Sequence, residues 1–217
     1  MRTRPANDFS TRPVTEDICD RILEAALPEV PFEGWTWKVI EQAAVRAGYE
    51  LSMARSVFPG GLSSALDHFS DMADRLMLER LEKVDPETLR VRDRIHTAVM
   101  ARLRVLYPWR DAVRQAASYW AMPSRIGQGS RIMWRTADII WRWAGDTATD
   151  YNHYSKRILL SGVMASTTLV WLDDNSQGVT ETEAFLERRI GSVLTLGKAI
   201  GKIKSFSKPG RKTGRTS

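Results

Sequence analysis

The spacing of apolar residues limits the fold of this chain more than any other feature. Apolar side chains recur every three to four residues along most of the sequence, and no segment alternates apolar and polar residues. This period places apolar side chains on one face of a helix, so we predict an all-α protein. Proline, glycine and capping residues divide the pattern into nine predicted helices, near 15–27, 37–47, 50–58, 63–83, 87–106, 109–121, 130–143, 147–172 and 180–206.

Several helix boundaries have a chemical reason. Thr36 is predicted to cap the second helix, because a Thr side chain can accept a hydrogen bond from a backbone amide in the first turn. Gly145 is predicted to end the seventh helix, since glycine readily takes the left-handed conformation found there. Thr147 and Asp150 have the spacing of a capping box and would begin the eighth helix. GQGSR at 127–131 is glycine-rich but lacks the lysine of a phosphate-binding loop, so we interpret it as a turn.

The composition is that of an ordinary globular protein. The chain has 217 residues, of which 43% are hydrophobic and 27% charged. A single cysteine, Cys19, points to a reducing compartment. The first residues are polar and unlike a signal peptide, and no apolar run is long enough to span a bilayer. We expect a cytoplasmic location.

The net charge of +6 is concentrated at one end. From Lys198 onward the sequence contains seven cations and no acid, which leaves 25 cations and 26 acids in the rest. The last residues are rich in Pro, Gly, Ser and Thr and are predicted to be disordered. Such a tail could serve solubility alone, or could bind anionic lipid headgroups or nucleic acid.

The predicted seventh and eighth helices are unusually apolar. In the seventh, Asp138 lies on a polar stripe with Arg135 and Arg142 and is expected to pair with both. Trp134 and Trp141 border this stripe, at the edge of the core or at an interface. The eighth is almost uncharged after Arg157, and small residues such as Gly162 would let a second helix approach closely. Such helices must be buried on most sides, and a subunit interface or a ligand cavity would bury their remaining apolar surface.

Catalytic and metal-binding motifs are not found. The three histidines, His68, His96 and His153, are far apart in the sequence, and neither a zinc motif nor a nucleophile elbow occurs. We therefore predict a binding protein, not an enzyme, with no cofactor and no metal. An apolar pocket is expected between the fifth and ninth helices. Its predicted lining comes from Leu103, Trp120, Met122, Met133, Leu160, Met164 and Val170.

Residues 22–69 resemble the head of a TetR-type regulator. They contain an ILEAAL helix, a glycine, a helix-turn-helix around AG at 47–48, and an aromatic residue before a further helix. The resemblance implies a TetR-like fold with a helix-turn-helix bundle and a larger ligand domain. The third helix, ELSMARSVF, lacks the usual tyrosine and the Gly/Thr-rich start of a recognition helix. Pro59 replaces the customary lysine after its closing aromatic residue, so sequence-specific DNA binding is not expected.

Residues 22–205 resemble a second, more specific family. AGDTATDYNHYSKR at 144–157, followed by ILLSGVMASTTLVWLDDNS, is similar to the signature of the ubiquinone-biosynthesis accessory family, that of the ninth Coq protein and its bacterial relatives. The resemblance implies a homodimer that binds an isoprenoid lipid and presents a quinone precursor to a di-iron hydroxylase. The family usually has Trp at the position of His153. Its partner-binding residues would be Ile140, Trp141, Asp146, Asp150, Tyr151, Asn152, His153 and Tyr154.

Eukaryotic members of that family end in an amphipathic membrane helix, so the end of this chain is expected to bind the inner membrane peripherally. The residues concerned would be Lys202, Ile203, Lys204, Phe206 and Lys208. The predicted organisation is a disordered N-terminus over 1–14, a degenerate helix-turn-helix-like bundle over 15–61, a lipid-binding and dimerisation domain over 62–206, and a basic tail over 207–217.

Two alternatives remain open from the sequence. One is a TetR-type transcriptional repressor that senses an apolar ligand. The other is a structural dimer without a ligand.

Overall fold

The structure is a computed structural model that describes residues 14–147 and 151–192, with no side-chain detail at Tyr151 and Asn152. Every regular element in these ranges is helical, as predicted. The helices are α1 (Val14–Ala26), α2 (Val30–Glu33), α3 (Trp37–Arg46), α4 (Leu51–Val57), α5 (Leu62–Leu81), α6 (Val91–Leu106), α7 (Arg110–Trp120), α8 (Ile126–Trp143), α9 (Tyr151–Asp173) and α10 (180–192).

The N-terminal helices form a small bundle. α1 packs against α3, α4 and α5, and α3 packs against α4. Ile22, Leu23 and Ile40 are fully buried between them. The Thr36 side chain accepts a hydrogen bond from the Val39 amide at 3.3 Å, which confirms the predicted cap of α3.

The helix α2 was not predicted from the sequence, because its single turn is too short to show a period. Pro31 favours this turn, since its fixed φ suits the start of a helix. The segment holds the N-terminal bundle against α7. Gln115 Nε2 donates to the Val30 carbonyl at 2.9 Å, and the buried Trp35 Nε1 donates to the Ala112 carbonyl at 2.8 Å.

The C-terminal helices enclose a larger apolar interior. α5 packs on α6 and α8, and α9 packs on α6, α7 and α8. The fully buried Trp171 lies in this interior, where Arg110 Nη2 donates to its carbonyl oxygen. The N-terminal bundle and this interior belong to one continuous apolar core.

The prediction that 127–131 forms a turn is wrong, since α8 begins at Ile126. The reason is close packing of its first turns against the end of α7. A Cβ atom at Gly129 would lie 2.9 Å from the Cβ of Trp120, so the glycine permits an approach that a larger residue would prevent.

Candidate functional site

The candidate site lies where α8 ends and α9 begins. Gly145 has φ 87°, and its amide donates to the Arg142 carbonyl at 3.0 Å. The Asp146 amide donates to the Trp141 carbonyl at 2.9 Å. Together these bonds form the Schellman motif, which confirms that Gly145 ends this helix. The predicted capping box includes Asp150, which lies outside the described residues.

A side chain from α6 secures the same helix end. Arg94 Nη1 donates to the Ala144 carbonyl at 2.8 Å, and Arg94 Nε donates to the Leu89 carbonyl at 2.9 Å. A cation at this position also interacts favourably with the negative end of the α8 dipole. Arg94 therefore ties the end of α8 to α6.

Arg157 is the centre of a buried ion cluster, which we define as Asp138, Arg142, Asp146, Lys156 and Arg157. Its side chain is 1% exposed. Arg157 Nε lies 2.6 Å from Asp138 Oδ1, and its Nη1 lies 2.9 Å from Asp146 Oδ2. Nη1 also donates to the His153 carbonyl at 3.0 Å. A buried guanidinium is stable only when carboxylates and hydrogen-bond acceptors compensate its charge. The bonds of Arg157 meet this need, and they also hold α9 against α8.

The outer members of the ion cluster give each carboxylate a second cation. Lys156 Nζ lies 2.6 Å from Asp146 Oδ1, and Arg142 Nη2 lies 2.7 Å from Asp138 Oδ2. The predicted pairing of Asp138 with Arg142 is confirmed, whereas that with Arg135 is wrong. Arg135 extends to α5 instead, where it pairs with Asp67 and Asp71 at 2.8 and 2.6 Å.

Aromatic rings lie next to this ion cluster, and we call Trp134, Trp141, His153 and Tyr154 the aromatic patch. Trp141 Nε1 donates to the Lys156 carbonyl at 3.1 Å, and Lys156 Nζ lies 5.2 Å from its ring centroid. The Tyr154 ring centroid lies 6.0 Å from that of Trp134 and 5.3 Å from that of His153. Tyr154 is 59% exposed, so the rings are held in place while offering area to a partner.

The predicted partner residues differ in their placement. Tyr154 is exposed, and Trp141 and His153 are half-buried. Ile140 is fully buried, and the Asp146 side chain is 6% exposed within the ion cluster. Both side chains therefore lie inside the protein and support the residues at the surface. Asp150 lies outside the described residues, as do the side chains of Tyr151 and Asn152.

The predicted lipid-lining residues also separate into groups. Leu103, Leu160 and Met164 are buried in the common core, and Trp120 and Met133 pack against it. Val170 is half-buried. Met122 is 51% exposed and lies on the surface at the α7–α8 corner. The predicted tail residues 202–208 lie outside the described part of the chain.

Sequence reasoning missed the residues that build this site. Arg157 and Lys156 were not selected, although Arg157 closes the signature and α9 carries no further charge until Asp173. No group of His, Cys, Asp and Glu suited to a metal occurs in the described residues. Within the same ranges, no helix is long and apolar enough to cross a membrane.

Comparison with solved structures defines the class of fold. The structure superposes on a TetR transcriptional regulator from Nitrosomonas europaea ATCC 19718 with a TM-score of 0.66, at 21% identity, over 82% of this chain and 98% of that chain. A second TetR regulator, from Rhodococcus sp. RHA1, gives a TM-score of 0.57 at 18% identity, over 83% of this chain and 96% of that one. The fold is TetR-like, as predicted.

Comparison with curated sequences identifies the family. A family model described as COQ9 matches residues 126–197, which include the ion cluster and the aromatic patch. Ubiquinone biosynthesis protein COQ9-B, mitochondrial, from Xenopus laevis is 32% identical over 88% of this chain and 67% of its own length. The COQ9 proteins of Rattus norvegicus and Homo sapiens are 32% and 30% identical over 88% of this chain. This chain belongs to the COQ9 family, and it spans 63% and 62% of those two relatives.

Proposed function

We propose that this chain is a non-catalytic accessory protein of ubiquinone biosynthesis that binds an isoprenoid quinone precursor and presents it to a pathway hydroxylase. Its COQ9 relatives are named as ubiquinone biosynthesis proteins. The observation that carries the proposal is the aromatic patch, because the exposed Tyr154 ring and its half-buried neighbours are held in a fixed arrangement beside a buried ion cluster. Rigid aromatic side chains are the usual anchors of protein interfaces.

The aromatic patch is proposed as the surface that meets the di-iron hydroxylase. Tyr154 would make the main contact, with Trp141 and His153 beside it, and Asp150, Tyr151 and Asn152 are proposed to take part. Ile140 and Asp146 would position these residues from the interior. Exposed tyrosine supplies a large contact area with few rotatable bonds, so its loss is costly at an interface.

Binding of the full-length protein to the purified hydroxylase, measured by calorimetry, tests this surface. Tyr154→Ala should weaken the complex at least about tenfold, as expected for an aromatic anchor. Tyr107→Ala is the matched control, since Tyr107 is 55% exposed and Tyr154 is 59% exposed. Equal affinity of the two variants for the hydroxylase would show that the aromatic patch is not part of the interface.

The isoprenoid ligand is proposed to occupy the interior between α6, α7, α8 and α9. Leu103, Leu160 and Met164 supply apolar surface from α6 and α9, with Trp120, Met133 and Val170 at the edges of the core. Methionine is suited to such a role, since its flexible side chain adapts to an irregular ligand. The exposed Met122 would lie at the entrance, not inside.

A second copy of the chain is proposed to cover the outer face of α9. Ile158 and Leu169 are 63% and 62% exposed, and Gly162 and Ala165 between them are exposed as well. These residues recur on one helix face without a charge, and small side chains allow close helix contact. Sedimentation should give a dimer for the natural chain and a monomer for Ile158→Asp. Leu51→Asp serves as control, and a monomeric natural chain would refute the dimer.

The association of the chain with the inner membrane is also proposed, with the cations and apolar residues of 202–208 as one attachment point. The attraction of cations to lipid headgroups and the insertion of apolar side chains are each weak, and they add at an anionic surface. Loss of anionic-vesicle binding after removal of 201–217 would support it, and unchanged binding would contradict it.

Transcriptional repression is the alternative that the TetR-like fold favours. The helix in the recognition position, α4, carries one cation, Arg55, whose Nη2 lies 3.4 Å from Glu41 Oε1. Its first residue, Leu51, is 52% exposed and apolar. These features suit a DNA groove poorly, because phosphate and base contacts need cations and polar side chains.

A further inference from the structure

The corner between α7 and α8 has a surface that the proposed hydroxylase contact and ligand interior leave unused. Met122 is 51% and Ile126 58% exposed. They are four residues apart, and the Ile126 amide donates to the Met122 carbonyl at 3.0 Å. Both aliphatic side chains therefore project from one tight turn into solvent.

Cations accompany these apolar side chains. No acidic residue occurs between Ala112 and Ala137, although this stretch contains Arg114, Arg125, Arg131 and Arg135. Arg114 and Arg135 are occupied by ion pairs with Asp173 and with Asp67 and Asp71. Arg131 is exposed and makes no ion pair or hydrogen bond within the described part of the chain.

Contacts beneath the corner fix the position of its backbone and side chains. The Arg125 guanidinium lies 3.9 Å from the Tyr119 ring centroid, and the Tyr119 hydroxyl lies 2.6 Å from Ser63 Oγ. The Tyr119 and Trp120 rings meet edge to face at 4.9 Å. Gly129 permits the close packing of the two helices. The exposed side chains thus project from a rigid base, so little conformational entropy is lost when they meet a partner.

We propose that this corner, defined by Met122, Arg125, Ile126 and Arg131, docks onto membranes that carry anionic lipid. Met122 and Ile126 enter the boundary of the acyl chains, and the two arginines pair with headgroups. Arg131 lies five residues beyond Ile126, about 7.5 Å along the helix at 1.5 Å per residue. This separation suits the depth to which interfacial apolar side chains are buried, about 5–10 Å.

Charge complementarity favours a lipid surface over a protein groove as the occupant. The first turn of α8 has no acidic residue, so its positive dipole end adds to the attraction for anions. Exposed aliphatic side chains next to cations are the usual composition of interfacial membrane segments. The surface differs from the proposed attachment by 202–208, and it requires no bound quinone precursor.

Vesicle co-sedimentation of the full-length protein tests the proposal. Arg125→Glu with Arg131→Glu should lower the partition onto vesicles of phosphatidylglycerol and phosphatidylcholine at least about thirtyfold, since each cation near an anionic surface contributes about 1 kcal/mol. The control Arg80→Glu with Arg92→Glu makes the same change in net charge at exposed positions elsewhere. Equal losses for the two variants would show that only net charge matters and would overturn the proposal.

Insertion depth tests the apolar part. A nitroxide at Met122→Cys or Ile126→Cys should become accessible to oxygen and protected from a nickel complex on anionic vesicles, whereas one at Val45→Cys should not. Cys19 stays unlabelled, because it is 4% exposed and burial, with help from nearby Asp20, raises its thiol pKa to about 11. Nitroxides at 122 and 126 that remain in water would refute docking. This conclusion holds whether or not mass spectrometry finds a lipid bound to the protein.

Discussion

Replacement of Arg157 by methionine should be the most damaging single change at the candidate site. Methionine keeps much of the side-chain volume and removes the charge, so packing changes little. Asp138 and Asp146 then lose the cation that lies 2.6 and 2.9 Å from them inside the protein. The His153 carbonyl loses its bond from the same guanidinium.

The structure sets the expected size of this effect. Removal of one partner from a buried ion pair costs about 3–5 kcal/mol. Asp138 keeps Arg142, and Asp146 keeps Lys156, so the cost should fall near the lower end, about 3 kcal/mol. For a domain of this size, that free energy lowers Tm by about 6–12 °C.

Thermal unfolding followed by circular dichroism at 222 nm would measure the change. Arg142→Met is the matched control, because Arg142 is 73% exposed and pairs with the same Asp138. An exposed pair contributes under about 1 kcal/mol, so the control should lower Tm by no more than about 4 °C. Similar shifts for both variants would refute the central role of Arg157. Addition of Asp138→Asn and Asp146→Asn to Arg157→Met should recover part of the loss, since no buried charge is then uncompensated.

Three further predictions concern separate parts of the chain. Burial raises the pKa of Asp174, but hydrogen bonds from Ser176 and Thr182 outweigh it and lower that pKa to about 2. The carboxylate should therefore stabilise the fold by about 2 kcal/mol above pH 4 and lose this effect as pH falls toward 2, so Asp174→Asn should flatten the acid limb of unfolding curves. Gly129→Ala should lower Tm because its Cβ would meet Trp120, whereas Gly127→Ala, with open space around it, should leave Tm unchanged or raise it slightly. Footprinting should find no operator binding that persists at about 150 mM salt, and a nanomolar footprint there would favour the repressor.

Local chemistry explains why much of the fold could be predicted. Each of the nine predicted helices corresponds to an α-helix in the described residues. They could be predicted because the apolar period and residues such as Thr36 and Gly145 act within a few residues of sequence. α2 was missed because one helical turn has no period. The start of α8 was misplaced because the role of Gly129 depends on Trp120, which belongs to another helix.

The candidate site was harder to predict for a related reason. The signature covers the segment that forms the candidate site, but the sequence could not distinguish the exposed Tyr154 from the buried side chain of Asp146. Arg135 was expected to pair with Asp138 on its own helix, but it pairs with two acids of α5, and Arg157 of α9 lies beside Asp138 instead. Such pairings depend on how helices cross, which the spacing along one helix does not determine.

Native mass spectrometry with lipid extraction tests the central claim most directly. The full-length protein should be purified from a host that makes isoprenoid quinones and from one in which that synthesis is blocked. We predict a bound mass that matches an isoprenoid quinone precursor from the first host only. Met164→Trp should fill the interior and reduce that mass, whereas Leu51→Trp should not. A protein free of isoprenoid lipid from both hosts would contradict the proposed function.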